Sequence, residues 1–255
     1  MNLPIIALAT LLGALFGSFA NVCVYRIPRR ESILLPGSHC PHCQHAIAWY
    51  DNLPILSWLL LGARCRHCHS TIAWRYPLLE LLMALSWGAL AAHYGYTPDL
   101  LIACILFFLL WILTFIDLET GLLPNAITYP GIATGLLLQL LWGSWQNALI
   151  GALAGYVVFW SVAKLFLLAT GREGMGYGDF KLLAMLGAFM GWQALPFIVL
   201  ASSLIGTFAG LIILASSRRG MRSEIPFGPY LAVAGMVWFI WGDAILHWYR
   251  QFAPL

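Results

Sequence analysis

Charged side chains are scarce in this sequence. Asp, Glu, Lys and Arg together make up 9% of its 255 residues, and only two of the residues are lysines. A soluble globular domain carries about 25% charged residues, so this composition excludes an ordinary soluble enzyme. Hydrophobic residues make up 61% of the chain. We therefore expect an integral membrane protein, whose partners include the lipid bilayer and no nucleic acid.

Polar interruptions are also few, and they leave long apolar runs. A run of about 20 apolar residues is long enough to cross a bilayer as an α-helix. Eight runs are found, at 3–22, 77–94, 99–117, 127–143, 147–169, 179–192, 195–215 and 229–249. The sixth is short, so we expect it to be tilted, to thin the bilayer or to be partly re-entrant. The sequence predicts an all-α polytopic membrane protein with about eight transmembrane helices.

The first apolar run has no basic residue before it, unlike a cleaved secretory signal, whose positive charge comes first. Arginines follow it instead, at Arg26, Arg29 and Arg30. If the chain begins outside, these and most later arginines fall on the cytoplasmic side, as positively charged loops do. The later ones are Arg64, Arg66, Arg75, Arg172, Arg218, Arg219 and Arg222, with Arg250 the exception. The sequence predicts an N-terminus outside.

Only six cysteines are present, and four of them form two closely spaced pairs. Residues 23–76, the only long polar insertion, contain CPHC with Cys40 and Cys43 and then CRHC with Cys65 and Cys68. Two such pairs, separated here by 21 residues, have the spacing of a four-thiolate metal site. Zinc suits four sulfurs, and a closed site leaves no position for water. We expect a structural zinc ion that holds a small cytoplasmic domain together.

Other interpretations of the cysteine pairs are open. Disulfide bonds are disfavoured because the topology puts this segment in the reducing cytoplasm, and a dithiol redox motif needs only one pair. One of five nearby histidines could replace a thiolate, although with four cysteines available we expect them at the surface. They are His39, His42, His45, His67 and His69. Cys23 and Cys104 are isolated among apolar residues, and we interpret them as packing residues.

Two aspartates lie at the ends of apolar runs, where entering the membrane would cost a charged group about 2.5–3.5 kcal/mol. Asp117 ends the third run and Asp179 begins the sixth. Because the third run points inward and the sixth outward, we expect both at the cytoplasmic surface, at similar depth. Each has a structural alternative, since Asp179 can cap a helix and Asp117 can be an interfacial charge. Glu80, in the second run, is interpreted as a helix-start carboxylate rather than a site-lining group.

Glycines crowd Asp179 in the stretch GMGYGDFK. A helix cap does not require Gly174, Gly176 and Gly178 ahead of it, whereas a backbone that another chain must approach closely does. Two carboxylates in a partly dry site cannot both ionise easily, so they share a proton. One is then a base that activates water and the other an acid that protonates the scissile carbonyl. We expect Asp117 and Asp179 to be the catalytic pair, with Gly176 and Gly178 positioning an extended peptide.

Six stretches, covering nearly the whole chain, resemble the bacterial prepilin peptidases, also called type IV leader peptidases. The GxGD pattern at residues 176–179 is weak evidence alone, but all six in this order are highly specific. They are GSFANVCVYRIPRR (17–30), CPHCQHAIAWYDNLPILSWLLLGARCRHC (40–68), RYPLLELL (75–82), DLETGLLPNAITYPG (117–131), GYGDFKLLAMLGAFMGW (176–192) and IPFGPYLAVAG (225–235).

The resemblance implies a membrane aspartic endopeptidase of the bacterial inner membrane, with Asp117 and Asp179 as its two aspartates. Such enzymes remove the basic leader of type IV prepilins or type II secretion pseudopilins, on the cytoplasmic side and after a glycine. Members with the four cysteines are also credited with methylating the new N-terminus, using S-adenosylmethionine. The sequence contains no glycine-rich strand–turn–helix fingerprint for such a cofactor, and the residues that bind it are not identified.

The resemblance and the composition together suggest three segments. We expect the first transmembrane helix at 1–22, the cytoplasmic four-cysteine zinc-binding domain at 23–76 and the transmembrane peptidase domain at 77–255. Four acids on the cytoplasmic side are available to attract the basic leader, although exposed pairs of this kind are individually weak. They are Glu31, Asp51, Glu119 and Glu173.

Two functions of other classes are considered beside the peptidase. One is a proton-coupled membrane transporter, and the other is a non-catalytic scaffold for pilus or secretion assembly with a structural zinc domain. The transporter is disfavoured because both aspartates are expected near one surface, whereas a proton relay would continue across the membrane. A prepilin cleavage assay separates all three.

Overall fold

The computed structural model describes residues 3–172, 175–216 and 226–252. These residues are mainly helical, and among them only two isolated β-bridges are found. The α-helices are α1 (Leu3–Arg26), α2 (Leu56–Leu60), α3 (Arg75–Tyr94), α4 (Pro98–Thr120), α5 (Asn125–Trp142), α6 (Trp145–Thr170), α7 (Tyr177–Met190), α8 (Leu195–Ser216) and α9 (Gly228–Phe252). Short 3-10 helices precede α2 and α8, at Trp49–Asn52 and Trp192–Ala194.

Each of the eight apolar runs coincides with one of the long helices. In the described part of the chain, α1, α4, α6, α8 and α9 are long and apolar enough to cross a membrane. The protein is therefore a multi-pass membrane protein. α7 has only 14 residues, and α3 and α5 are less apolar than these five helices. The number of eight transmembrane helices thus stays a prediction, as does the orientation of the chain.

Three of the spanning helices leave most of their apolar surface outside the protein core. The most apolar windows of α1, α6 and α8 are only 22%, 17% and 17% buried within the protein. Exposed apolar surface of this extent is not found on soluble monomers. These faces fit contact with lipid.

The chain divides into two compact units, Met1–Ile112 and Leu113–Leu255, with the boundary inside α4. The first unit contains α1, the cysteine segment (residues 27–74), α3 and the first part of α4. The second contains the end of α4 with α5 to α9. The segment boundaries predicted from the sequence, at 22/23 and 76/77, lie elsewhere, because they mark where the composition changes from apolar to polar and back. That division stays a prediction.

In the first unit, glycines allow α1 and α3 to approach each other closely. A Cβ atom added to Gly17 would lie 2.7 Å from Cα of Glu80, and one added to Gly13 would lie 2.7 Å from the carbonyl oxygen of Met83. Transmembrane helices commonly associate through small residues in this way. The contact places Glu80 beside α1, where it is buried.

The second unit is built around α7. Nearly every residue from Asp179 to Phe189 is buried, and α5, α6 and α9 pack against the helix. Gly151 of α6 touches Gly187 of α7 through the backbone, and Gln139 of α5 donates a 2.6 Å hydrogen bond to the carbonyl oxygen of Phe189. These neighbours cover a short helix whose backbone would otherwise end in an apolar environment.

Candidate active site and metal centre

Asp117 and Asp179 lie at two helix ends of the second unit. Asp117 is in the last turn of α4, before Gly121 in the left-handed conformation (φ +65°). Asp179 is the third residue of α7. The exposed fraction is 5% for Asp117 and 9% for Asp179, and the two carboxyl groups are close enough to interact electrostatically. The two acids singled out in the sequence are thus neighbours in the fold, and their catalytic assignment stays a prediction.

The start of a third helix holds the Asp117 carboxylate. The backbone N–H of Gly228, the first residue of α9, donates a 2.9 Å hydrogen bond to Oδ2 of Asp117. A Cβ atom at position 228 would lie 2.7 Å from that oxygen, so only glycine permits the approach. Gly228 was not among the site residues predicted from the sequence. Its only local signal is a glycine followed by Pro229 at a helix start, which is common in unrelated proteins.

The Asp179 carboxylate also contacts the start of its own helix. Oδ2 of this carboxylate lies beside Gly176, which directly precedes α7, 3.7 Å from where a Cβ atom of that residue would be. An acid at the third helical position is placed where the acid of a capping box lies. Because a carboxylate has two oxygens, the capping and the catalytic interpretations of Asp179 are compatible.

The motif glycines differ in what surrounds them. At Gly178 an added Cβ atom would lie 2.8 Å from Cβ of Leu123, so the packing of the chain itself requires glycine there. At Gly176 the nearest atom to an added Cβ is Oδ2 of Asp179, 3.7 Å away. Among the described residues, therefore, nothing else occupies the space beside position 176 and the carboxylate. Gly174 lies outside the described residues.

The four paired cysteines meet in one cluster of the first unit. The Sγ atoms of Cys40, Cys43, Cys65 and Cys68 all lie within 4.8 Å of one another, and those of Cys40 and Cys68 are 3.8 Å apart. Zinc–sulfur bonds of about 2.3 Å in a tetrahedron put the sulfurs about 3.8 Å apart. The donor set and its geometry therefore fit a four-thiolate zinc site.

The two cysteine turns are built alike because the sequence repeats itself. HCPHCQHAIAW (39–49) and RCRHCHSTIAW (64–74) match at an offset of 25 residues. In each turn the backbone N–H of the first cysteine donates to the carbonyl five residues later, at 3.0 Å for Cys40 and 2.9 Å for Cys65. Each turn thus presents two sulfurs in the same way. Sequence analysis used the cysteine pairs and missed the longer repeat.

Ser70 adds a hydroxyl group to the sulfur cluster. Its Oγ lies 3.1 Å from Sγ of Cys68, and this hydrogen bond lowers the pKa of the Cys68 thiol. Burial opposes ionisation of Cys40, but hydrogen bonds from the backbone N–H groups of Cys43 and His42 outweigh it and lower the pKa of Cys40 to about 6. Both effects favour the thiolates that bind a metal. At Cys43 the backbone hydrogen bond from His45 is outweighed by desolvation and by the other three thiols, which raise the pKa of Cys43 to about 11.

The alternatives for the cysteines find no support among the described residues. No histidine belongs to the cluster, and the rings of His45 and His67 lie against each other with centroids 3.5 Å apart. All described cysteines are free thiols. Cys23 and Cys104 are buried, as expected of packing residues.

Two acids have partners that the sequence analysis did not anticipate. Asp51 accepts two hydrogen bonds from the guanidinium of Arg66, at 2.7 and 2.6 Å. Its oxygens are therefore engaged, and the expectation that Asp51 is available to a basic leader is wrong. Glu80 is not a simple helix-start carboxylate, because it is buried and accepts a 2.7 Å hydrogen bond from the backbone N–H of Ile55. Glu173 lies outside the described residues.

Comparison with known proteins provides independent evidence. The model of the bacterial peptidase A24 N-terminal domain matches residues 11–94. The model of the type IV leader peptidase family matches residues 104–211. No solved structure matches the chain.

Three similar relatives are each named prepilin leader peptidase/N-methyltransferase. The relative from Aeromonas hydrophila is 45% identical over 95% of this chain and 93% of its own length. The relative from Stutzerimonas stutzeri is 42% identical over 99% and 96%, and that from Pseudomonas aeruginosa 43% over 95% and 92%. Since these matches extend over almost the full length of both chains, this protein belongs to the type IV leader peptidase family.

Proposed function

We propose that this protein is a membrane aspartic endopeptidase in which Asp117 and Asp179 activate water and polarise a peptide bond. The supporting observation is the placement of the two carboxyl groups, which are buried at two helix ends and interact electrostatically. The hydrogen bond from Gly228 fixes the orientation of one of them. Isolated buried carboxylates are costly, and functional sites are where proteins retain them.

The chemistry requires one proton shared between the pair. The ionised aspartate takes a proton from a water molecule while the oxygen of that water attacks the scissile carbonyl carbon. The protonated aspartate donates its proton to the carbonyl oxygen. Collapse of the resulting diol breaks the C–N bond, and the departing nitrogen takes up a proton. Burial of both groups excludes bulk water, which would otherwise screen their interaction.

The proposed substrates are type IV prepilins or type II secretion pseudopilins, cleaved on the cytoplasmic side after a glycine. The names of the relatives support the prepilin class. The space that the described residues leave at Gly176, beside the Asp179 carboxylate, would admit an extended peptide backbone. In this proposal the apolar pilin helix meets the enzyme within the bacterial inner membrane, with the N-terminus of the enzyme outside. The basic leader of the pilin stays at the cytoplasmic surface, near acids of the enzyme such as Glu31 and Glu119.

The second proposed activity is methylation of the new N-terminus, with S-adenosylmethionine as methyl donor. The compound name of the relatives supports it. A zinc ion held by Cys40, Cys43, Cys65 and Cys68 would stabilise the cytoplasmic segment, because four thiolates saturate the metal and leave no position for a reacting water. We assign this metal no step in either reaction.

Cleavage of a purified prepilin in detergent tests the peptidase. We expect Asp117→Asn and Asp179→Asn each to abolish cleavage while the protein remains folded. Asp99→Asn, at the far end of α4, and Asp243→Asn, in α9, serve as matched controls. Each changes one exposed acid to its amide, and both variants should cleave normally. Substantial cleavage by either active-site variant would reject the pair. Wild-type protein that never cleaves prepilin would favour the transporter or the scaffold.

A further inference from the structure

A cavity of about 630 Å³ lies entirely within the first unit. Its walls come from the end of α1, the cysteine segment, α2 and the start of α3. Small-molecule sites in proteins have volumes of about 300–1,000 Å³, so the cavity has the size of a site for a cofactor-sized ligand. None of the residues proposed for peptide cleavage lines it.

Asn21 lines this cavity and carries a buried acceptor that has no partner among the described residues. The side chain is only 4% exposed, and its Nδ2 group donates a 3.0 Å hydrogen bond to the carbonyl oxygen of Tyr76. Its Oδ1 atom is buried, and no hydrogen-bond partner for it is found in the described part of the chain. An unsatisfied buried acceptor costs about 1–3 kcal/mol, and such groups are rare in folded proteins. A ligand with a donor group would satisfy it.

The cavity walls also contain one buried charge of each sign. Glu80 is 8% exposed; one of its oxygens accepts the N–H of Ile55, a residue in the left-handed region (φ +63°). Arg26 is 6% exposed and donates to the carbonyl oxygens of Ser32 and Gly37, at 2.9 and 3.2 Å. Among the described residues no ion pair is found for either charge. Buried charges without such partners are suited to a ligand that carries both signs.

The remaining lining provides aromatic surface. Tyr25, Tyr50, Trp58 and Tyr76 all line the cavity, and Tyr50 is half exposed. Aromatic rings offer apolar faces on which a purine ring can stack. The cavity thus combines an anion, a cation, an orphaned acceptor and aromatic surface in one unit.

We propose that this cavity binds the methyl donor S-adenosylmethionine. The donor has a purine ring, a sulfonium cation and an amino-acid end with an ammonium and a carboxylate group, which match the groups of the wall. Asn21 Oδ1 and the Glu80 carboxylate receive its cationic groups, Arg26 faces its carboxylate, and the aromatic side chains contact its purine. This inference rests on the proposed methyltransferase activity and adds the place where the donor binds.

Equilibrium dialysis of full-length protein in detergent, with radiolabelled S-adenosylmethionine and no prepilin, measures donor binding directly. The main variant is Glu80→Gln, which removes the charge but keeps an oxygen to accept the N–H of Ile55. Asn21→Leu removes the orphaned acceptor. Asp99→Asn, an exposed acid of the same unit changed to its amide, is the matched control. Zinc content and prepilin cleavage, measured on each variant, report whether both units are folded.

We expect wild type and Asp99→Asn to bind equally, and Glu80→Gln and Asn21→Leu to bind at least about tenfold more weakly, because each loses a charge-assisted or buried hydrogen bond. Zinc and cleavage should persist. If Asn21→Leu loses its zinc or its cleavage activity, that variant is misfolded, and donor binding by Glu80→Gln alone tests the inference. Wild-type affinity in Glu80→Gln overturns the inference, as does a wild type that methylates prepilin without measurable donor binding. A wild type that neither binds the donor nor methylates overturns the proposed methyltransferase activity itself.

Discussion

Gly228 donates its backbone N–H to Oδ2 of Asp117, at 2.9 Å, across 111 positions of sequence. The bond ties the start of α9 to the end of α4. Gly228 is thus a positioning residue for the proposed dyad, since it acts through Asp117.

Gly228→Ala should impair cleavage without unfolding the protein. The added methyl group would lie 2.7 Å from Oδ2 of Asp117, so the carboxylate must move. A displacement of about 1 Å in a catalytic group costs about 100-fold in rate, and we expect a fall of that size in kcat for prepilin with little change in KM. Gly37→Ala is the control, because nothing lies within 4 Å of its added methyl group. Equal kcat in the two variants would remove Gly228 from the account.

The two glycines before Asp179 should respond differently to alanine. Gly178→Ala places a methyl group 2.8 Å from Cβ of Leu123 and should destabilise the fold by about 1–3 kcal/mol, seen as a lower Tm in detergent. Gly176→Ala meets no atom of the described residues closer than 3.7 Å, and its backbone (φ −73°, ψ 142°) suits alanine. We expect its Tm to be unchanged and its KM for prepilin to rise. An unchanged KM would mean that the substrate does not approach position 176.

The positions of the helices and of the two aspartates could be predicted because each depends on local sequence. Apolar runs mark the helices, and an acid at the end of such a run stands out as Asp117 and Asp179 do. The contacts that orient these acids could not be predicted, because Gly228 and Leu123 reach the site only through the packing of α4, α7 and α9. The same holds for Glu80, whose partner Ile55 lies 25 residues away in an irregular segment.

In the cysteine segment, the metal cluster could be predicted from the sequence, but the contacts around it could not. The spacing of Cys40, Cys43, Cys65 and Cys68 indicated their cluster, because each pair lies in one short turn. Ser70 and the pairing of Asp51 with Arg66 depend on how the two turns face each other, which spacing alone does not specify. The 25-residue repeat is visible in the sequence and would have predicted that the turns are equivalent.

Removal of the Ser70 hydroxyl should weaken metal binding. Groups that hydrogen-bond to metal ligands typically contribute about 10–100-fold to affinity, and Ser70 lies 3.1 Å from Sγ of Cys68. We expect a loss of that size in Ser70→Ala and near-normal affinity in Ser70→Thr, measured by competition with a chromophoric zinc chelator. Cys40→Ser combined with Cys43→Ser should abolish zinc binding. Full zinc content in that double variant would refute the four-thiolate site.

The Asp51–Arg66 pair should contribute a small, pH-dependent stability. Hydrogen bonds from the Arg66 guanidinium hold the pKa of Asp51 below its usual range. The contribution is therefore present above the unfolded-state pKa of about 3.9 and is lost as the pH falls through the lower folded-state value. Because the arginine is exposed, the effect should also shrink in high salt. We expect Asp51→Asn to lower Tm slightly at neutral pH and low salt and not at all in acid; a difference that persists in acid would contradict this assignment.

The most direct test of the catalytic pair is a kinetic double-mutant cycle on prepilin cleavage. Two groups that act as one unit give strongly non-additive losses when both are removed. We predict that Asp117→Asn, Asp179→Asn and the double variant lose cleavage to the same residual rate. A double variant far slower than either single variant, with losses that multiply, would show that the two aspartates act independently and would contradict the account.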